Sequence, residues 1–159
     1  MPLSRLREFL DSHHIKYLVI SHSLAYTAQG VAALAHVSGK KLAKTVIVKI
    51  DGLLAMAVIP ASEHVDLNQL RSLTGAKMVE IASEGEFKDA FADCETGAMP
   101  PFGNLYDIAV YADTSLAQQE EITFSAGSHR ELVRMRWADM ARLVNPTVDR
   151  LSYRRAAVA

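Results

Sequence analysis

The chain has 159 residues, half of them hydrophobic and about a fifth charged, which is enough to bury one sizeable core. Seventeen basic and eighteen acidic side chains leave a net charge of −1, and this excludes a protein that holds nucleic acid by bulk charge. The single cysteine, Cys94, excludes an internal disulfide and a multi-cysteine zinc site. No apolar run approaches the roughly 18–20 residues that cross a bilayer, so no membrane partner is expected, and the lone cysteine fits a reducing, cytoplasmic home.

Taken in chain order, Ser4 stands at the N-cap position of a first helix, in which Leu6, Phe9 and Leu10 recur at helical spacing. "KYLVISH" reads as a strand, and "TAQGVAALAHV" as a helix capped by Thr27 and interrupted by Gly30. "KTVIVKIDGLLAMAVIP" is the strongest local signal. Two apolar runs flank Asp51-Gly52, a pair suited to a tight hairpin turn, and Pro60 ends the second strand. A helix follows, with Asp66 as cap and Gly75 as stop, then a short strand in "AKMVEIA". A capping-box-like Ser83 to Glu86 opens a short helix. "LYDIAVYAD", "EEITFSAG" and "LVRMRW" read as strands and "WADMARLV" as a last helix. The segment 146–159 reads as a polar, loose tail. Strands and helices interleave around at least one hairpin. The expected fold is therefore α/β or α+β, a mixed sheet with helices around it, in one domain spanning 1–159.

Charge is unevenly spread. From Glu80 to Glu121 ten acids face Lys88 alone, whereas from Arg130 onward seven arginines face Glu131, Asp139 and Asp149. A local basic face suits a phosphate backbone; the molecule as a whole does not.

Familiar catalytic signatures are absent. No two of the six histidines are four residues apart, and there is no HExxH, GxSxG, GxGxxG or GxxxxGK[ST]. Cys94 lacks the surroundings of a cysteine nucleophile, and Ser128 and His129 are chain neighbours whose side chains need not meet. Two features remain. Lys44 opens a strongly apolar strand, where an ammonium at a cleft rim meets an anion. "GAMPPFGN", Gly97 to Asn104, is stiffened by Pro100 and Pro101, made approachable by Gly97 and Gly103, and yet carries Met99 and Phe102. Such a loop presents fixed main-chain groups to a small polar ligand.

Lys44 in "KTVIVK", the G-x-x-x-P run Gly97-Ala98-Met99-Pro100-Pro101 and "GSH" at Gly127-Ser128-His129 together resemble the YbaK/EbsC group. This is the superfamily of the editing domain inserted in bacterial prolyl-tRNA synthetases and of its freestanding relatives. The resemblance runs from about Ser21 to Asn145. It implies a mixed, partly barrel-like sheet surrounded by helices, and a trans-editing hydrolase that removes a wrong amino acid from the tRNA acceptor end. It implies no metal or organic cofactor. By the same resemblance, Lys44 anchors the 3′-terminal phosphate or hydroxyls and the Gly97–Pro101 loop holds the aminoacyl end and places water. His129 lines the pocket; Gly127 and Ser128 shape its wall, with Thr45, Met99, Phe102 and Gly103 beside them. Lys44 and the loop are expected to share one cavity. Thr45 and Pro100 combine features of two subgroups, leaving alanine, serine, cysteine or an analogue as the amino acid removed. A synthetase or elongation factor is a further expected partner. The alternative is a non-catalytic module that binds tRNA ends or a synthetase.

Overall fold

A computed structural model describes residues 4–21 and 41–154. The helix expected over "TAQGVAALAHV" lies outside the described residues. Helix α1 (Ser4–Ser12) buries Leu6 and Leu10 and leads to strand β1 (Tyr17–Ser21). Strands β2 (Leu42–Ile50) and β3 (Leu53–Pro60) form the expected hairpin. Its turn residues Asp51 and Gly52 have φ of 49° and 86°, as a tight twisted turn demands. Asp51 also accepts hydrogen bonds from the N–H groups of Lys77 and Met78, which fixes where the chain returns.

After β4 (His64–Val65), Asp66 caps helix α2 (Leu67–Thr74) through the Gln69 N–H at 3.0 Å, and Gly75 closes it in the left-handed conformation. Strand β5 (Val79–Ile81) precedes α3 (Glu84–Phe87), whose Ser83–Glu86 capping box is formed. A 3₁₀ turn at Lys88–Phe91 and another at Gly103–Leu105 flank the glycine–proline loop. Then come β6 (Ala109–Asp113), α4 (Thr114–Ala117), β7 (Glu121–Ser125), β8 (Glu131–Arg136), α5 (Trp137–Val144), β9 (Thr147–Asp149) and β10 (Ser152–Tyr153).

The main sheet is mixed, as expected, and runs β1-β8-β7-β2-β3-β6-β9, with β5 added to β2. Two cores lie on its faces. The larger joins Leu6, Leu10, Ala43, Ile47, Met99, Phe102, Phe124 and Met135. The smaller joins Val48, Ala57, Ile59, Leu70 and Leu151 under α2.

The tail departs from expectation. Within the segment read as loose, β9 pairs in parallel with β6, and β10 pairs with β4 in a separate two-stranded ribbon. The cause is Asp113, far away in sequence. Its carboxylate accepts from the N–H groups of Leu151 at 2.7 Å and Ser152 at 3.1 Å, and this seats Leu151 in the smaller core.

Candidate functional site: a gap in the sheet

One edge of β2 is wholly covered by β3. The opposite edge is covered in two pieces. Leu42 and Ala43 pair in parallel with Thr123 and Phe124 of β7, and Val48 to Ile50 pair with β5. Between these pieces Lys44, Thr45 and Val46 have no strand partner on that edge among the described residues. The gap is bordered by the two chain segments that leave its flanking strands. One is Ala126–His129, after β7; the other is Ala82–Glu84, after β5.

At the β7 border two loops are stapled together. Glu95 N–H donates to the Gly127 carbonyl at 2.8 Å, and Gly127 N–H donates to the Ala98 carbonyl at 2.8 Å. Ala98 N–H closes a turn onto the Glu95 carbonyl, with Gly97 at φ 85° in the position where such a turn needs glycine. His129 completes the clamp. Its main-chain N–H donates to Glu95 Oε2 at 3.0 Å, and its Nε2 lies 2.6 Å from the Thr96 carbonyl. A carbonyl can only accept, so Nε2 carries the proton. Behind the clamp, Ala98, Met99, Pro100, Pro101, Phe102 and Gly103 are buried, and Phe102 packs between Phe9 and Phe124. Met99 and Phe102 thus support the loop from the core. Gly103 sits so close to Ile108 and Val110 that a Cβ there would overlap both.

Glu84, Cys94, Glu95, Thr96 and His129 line a cavity of about 590 Å³ at this clamp. Cys94 in it is no nucleophile near neutrality, because burial pushes its thiol up to about 11.

Lys44 takes the other side. Side chains alternate along a strand, so Thr45 shares the face of Ala43 and Ile47 with the main core, while Lys44 shares that of Val46 and Val48. The lysine lines a second cavity of about 380 Å³ with Val46, Ile59, His64, Val65, Leu67, Ile81 and Tyr153. Burial lowers its pKa, and Glu63 partly offsets this. The described cavities therefore do not place Lys44 with the glycine–proline loop. The two linings approach each other along the chain: Ile81 and Glu84, one from each, are three residues apart, a reach of at most about 10 Å. Sequence reasoning missed Glu84, Glu95 and Thr96, since nothing local in "DCETGAM" announces a partner 34 positions away. Among the described residues no group of three His, Cys, Asp or Glu is arranged to hold a metal, and no helix is long and apolar enough to cross a membrane.

The sequence profile of the aminoacyl-tRNA editing domain matches residues 22–143. The chain belongs to this family. Editing is hydrolysis of the aminoacyl ester, so this editing domain is a deacylase acting on aminoacyl-tRNA. It is 28% identical over 158 residues to the Multifunctional Ser/Thr-tRNA deacylase ProXp-y of Escherichia coli (strain K12), an alignment covering 96% of this chain and 93% of that one. It is 30% identical over 87 residues to a proline–tRNA ligase of Bacillus mycoides, covering 55% of this chain and 15% of the ligase. Among solved structures it superposes on hypothetical protein APE2540 with a TM-score of 0.85 at 20% identity, covering 94% of this chain and all of that one. A proposed trans-editing enzyme for prolyl tRNA synthetase superposes with a TM-score of 0.79, again at 20% identity, covering 94% and 95%. These two establish the editing-domain fold.

Proposed function

We propose that this editing domain works in trans on tRNA charged with a small amino acid (alanine, serine, cysteine or an analogue) and that the gap in the sheet is where the ester is cut. The clamp carries this reading: Glu95–Ala98 and Gly127–His129 are held as one rigid main-chain wall at the β7 border of the gap. The relative named as a Ser/Thr-tRNA deacylase supports serine and adds threonine to the set.

An aminoacyl ester is already activated, so positioned water suffices as nucleophile if the developing oxyanion is met by donors. In the Glu95–Ala98 turn, the N–H groups of Thr96 and Gly97 make no hydrogen bond among the described residues, and they are the donors assigned to that oxyanion. Glu84 and Glu95 line the same cavity, and their carboxylates suit the ammonium of the amino acid. His129 acts as a positioning residue: its Nε2 proton is committed to the Thr96 carbonyl and orients the turn. Lys44, on the far face of the gap, meets a phosphate of the acceptor end. Because the loop is backed by fully packed core residues, the wall does not yield to bulk. One methylene in such a site changes binding by about 1–3 kcal/mol, so selection is mainly by size. A cytoplasmic setting, with a synthetase or elongation factor supplying further affinity, completes the reading.

The test is a panel of tRNAs charged with alanine, serine, threonine, cysteine and phenylalanine. At least one small ester should decay well above the blank, with phenylalanyl ester at the blank rate and Lys44→Ala slowed. Equal decay in every tube, blank included, overturns the reading.

A further inference from the structure

The Lys44 cavity has a second feature that ester hydrolysis does not explain. Its lining includes two rings, His64 of β4 and Tyr153 of β10, with centroids 5.7 Å apart and planes tilted by 37°. Tyr153 is 48% exposed, an unusual state for a large ring in a paired strand, and His64 is exposed as well. Neither ring contributes to either core. Their positions are nevertheless closely fixed. Tyr153 is in register with His64 and Ser152 with Val65. Ser152 donates its hydroxyl to Glu63 at 3.0 Å, and Asp113 holds the N–H groups of Leu151 and Ser152. Asp66 N–H donates to the Leu151 carbonyl at 2.7 Å, and Arg150 pairs with Asp66 and Gln69. Much polar bonding thus goes into presenting two solvent-facing rings beside one half-buried cation.

Rings that stack and a cation that meets the backbone are the two components of single-stranded nucleic-acid recognition. We propose that the His64–Tyr153 ring pair is a stacking platform for an unpaired base at the 3′ end of the nucleic acid, with the phosphate of that nucleotide on Lys44. The acidic groups here are few: Glu63 is drawn to Ser152, and Asp66 is paired with Arg150. The inference rests on the deacylase reading for its ligand, an acceptor end, and for the phosphate on Lys44, but it assigns a role to two rings that reading does not use.

The experiment has two readouts. In the first, the single-stranded RNA tetranucleotide ACCA is titrated into wild-type protein and into Tyr153→Phe and Tyr153→Ala, and the ring-proton resonances of His64 and Tyr153 are followed by NMR. Wild type and Tyr153→Phe should show ring shifts and equal affinity, and Tyr153→Ala should bind about 5–10-fold more weakly, the loss of one stacked base. A blunt RNA duplex should leave the rings unmoved. In the second, KM for a mischarged tRNA should rise by a similar factor in Tyr153→Ala with kcat within about twofold, a split that stacking of the bound end produces. Unmoved ring resonances, or equal tetranucleotide affinity in Tyr153→Ala and wild type, overturn the platform. Tetranucleotide binding that depends on the ring, in a protein that deacylates nothing, leaves the platform standing and removes the deacylase reading instead. Because Asp113 anchors Leu151 and Ser152 through main-chain bonds, Tyr153→Ala keeps the ribbon; an unchanged melting temperature verifies this.

Discussion

Gly97 and His129 show how much of the site depends on single backbone positions. At φ 85° Gly97 is in a region that a side chain occupies at a cost of about 1–2 kcal/mol. A Cβ there would meet His129 Cε1 at 3.5 Å, an ordinary contact, so the cost is conformational and not steric. Gly97→Ala should therefore lower the melting temperature by a few degrees while reducing kcat more strongly than it raises KM, because the turn presents the donors proposed for the transition state. His129 makes a different prediction. Its Nε2 proton is bound to a carbonyl, which holds the ring in the clamp, and the proposed function gives it a positioning role. The rate of deacylation should show no one-proton step between about pH 6 and 7; a clean step there that vanishes in His129→Ala would show that the ring transfers protons. The absence of a catalytic signature in the sequence has the same origin: the groups assigned to the ester are main-chain N–H groups, which no residue type encodes.

At the level of elements, Asp113 ties three pieces together. It ends β6, caps α4 by accepting from the Ser115 N–H at 3.1 Å and hydroxyl at 2.5 Å, and anchors the start of β10. Burial raises its pKa, but the bonds from Ser115, Leu151 and Ser152 outweigh this, and the net shift is downward from 3.8. Glu86 shifts the same way, from 4.5 to about 2, through Lys49 first and then Ser83. A carboxyl whose folded pKa lies below its unfolded value stabilises fully above the unfolded value, and the effect fades as pH falls through the folded one. Stability should thus fall between about pH 4.5 and 2, and Asp113→Asn should flatten that acid limb while loosening β10, read as faster amide exchange at Leu151 and Ser152. Unaltered exchange there would mean that Asp113 does not hold the ribbon. The hairpin, the caps of α2 and the Ser83–Glu86 box were all legible in sequence, since each lies within a few residues of its partner. β9 and β10 were not, because "DRLSYRR" is polar and its partners are contributed by Asp113 and β4.

Across the whole molecule, charge is segregated about the gap. Glu84 and Glu95 line one cavity and Lys44 the other. With a net charge of −1, long-range attraction for RNA is weak and binding should depend on few phosphate contacts. A single contact at Lys44 gives a slope of about −0.7 in log affinity against log salt for a single strand, and Lys44→Ala should remove about that much. A slope unchanged by Lys44→Ala would place the phosphate elsewhere.

The sequence alone determined the local conformations, the mixed sheet and the family, because turn chemistry, caps and apolar periodicity act over a few residues and because three ordered motifs survive together. It also singled out Lys44, Gly97–Pro101 and Gly127–His129, from which the proposed site is built. Only the tertiary structure decided their arrangement: that among the described residues β2 leaves an edge unpaired between β7 and β5, that Lys44 and Thr45 face opposite sides of it, and that Ser152 and Tyr153 pair in a ribbon with β4. Strand pairing and alternation are the reason. A register is set by partners dozens of residues away, and one step along a strand sends a side chain to the other face.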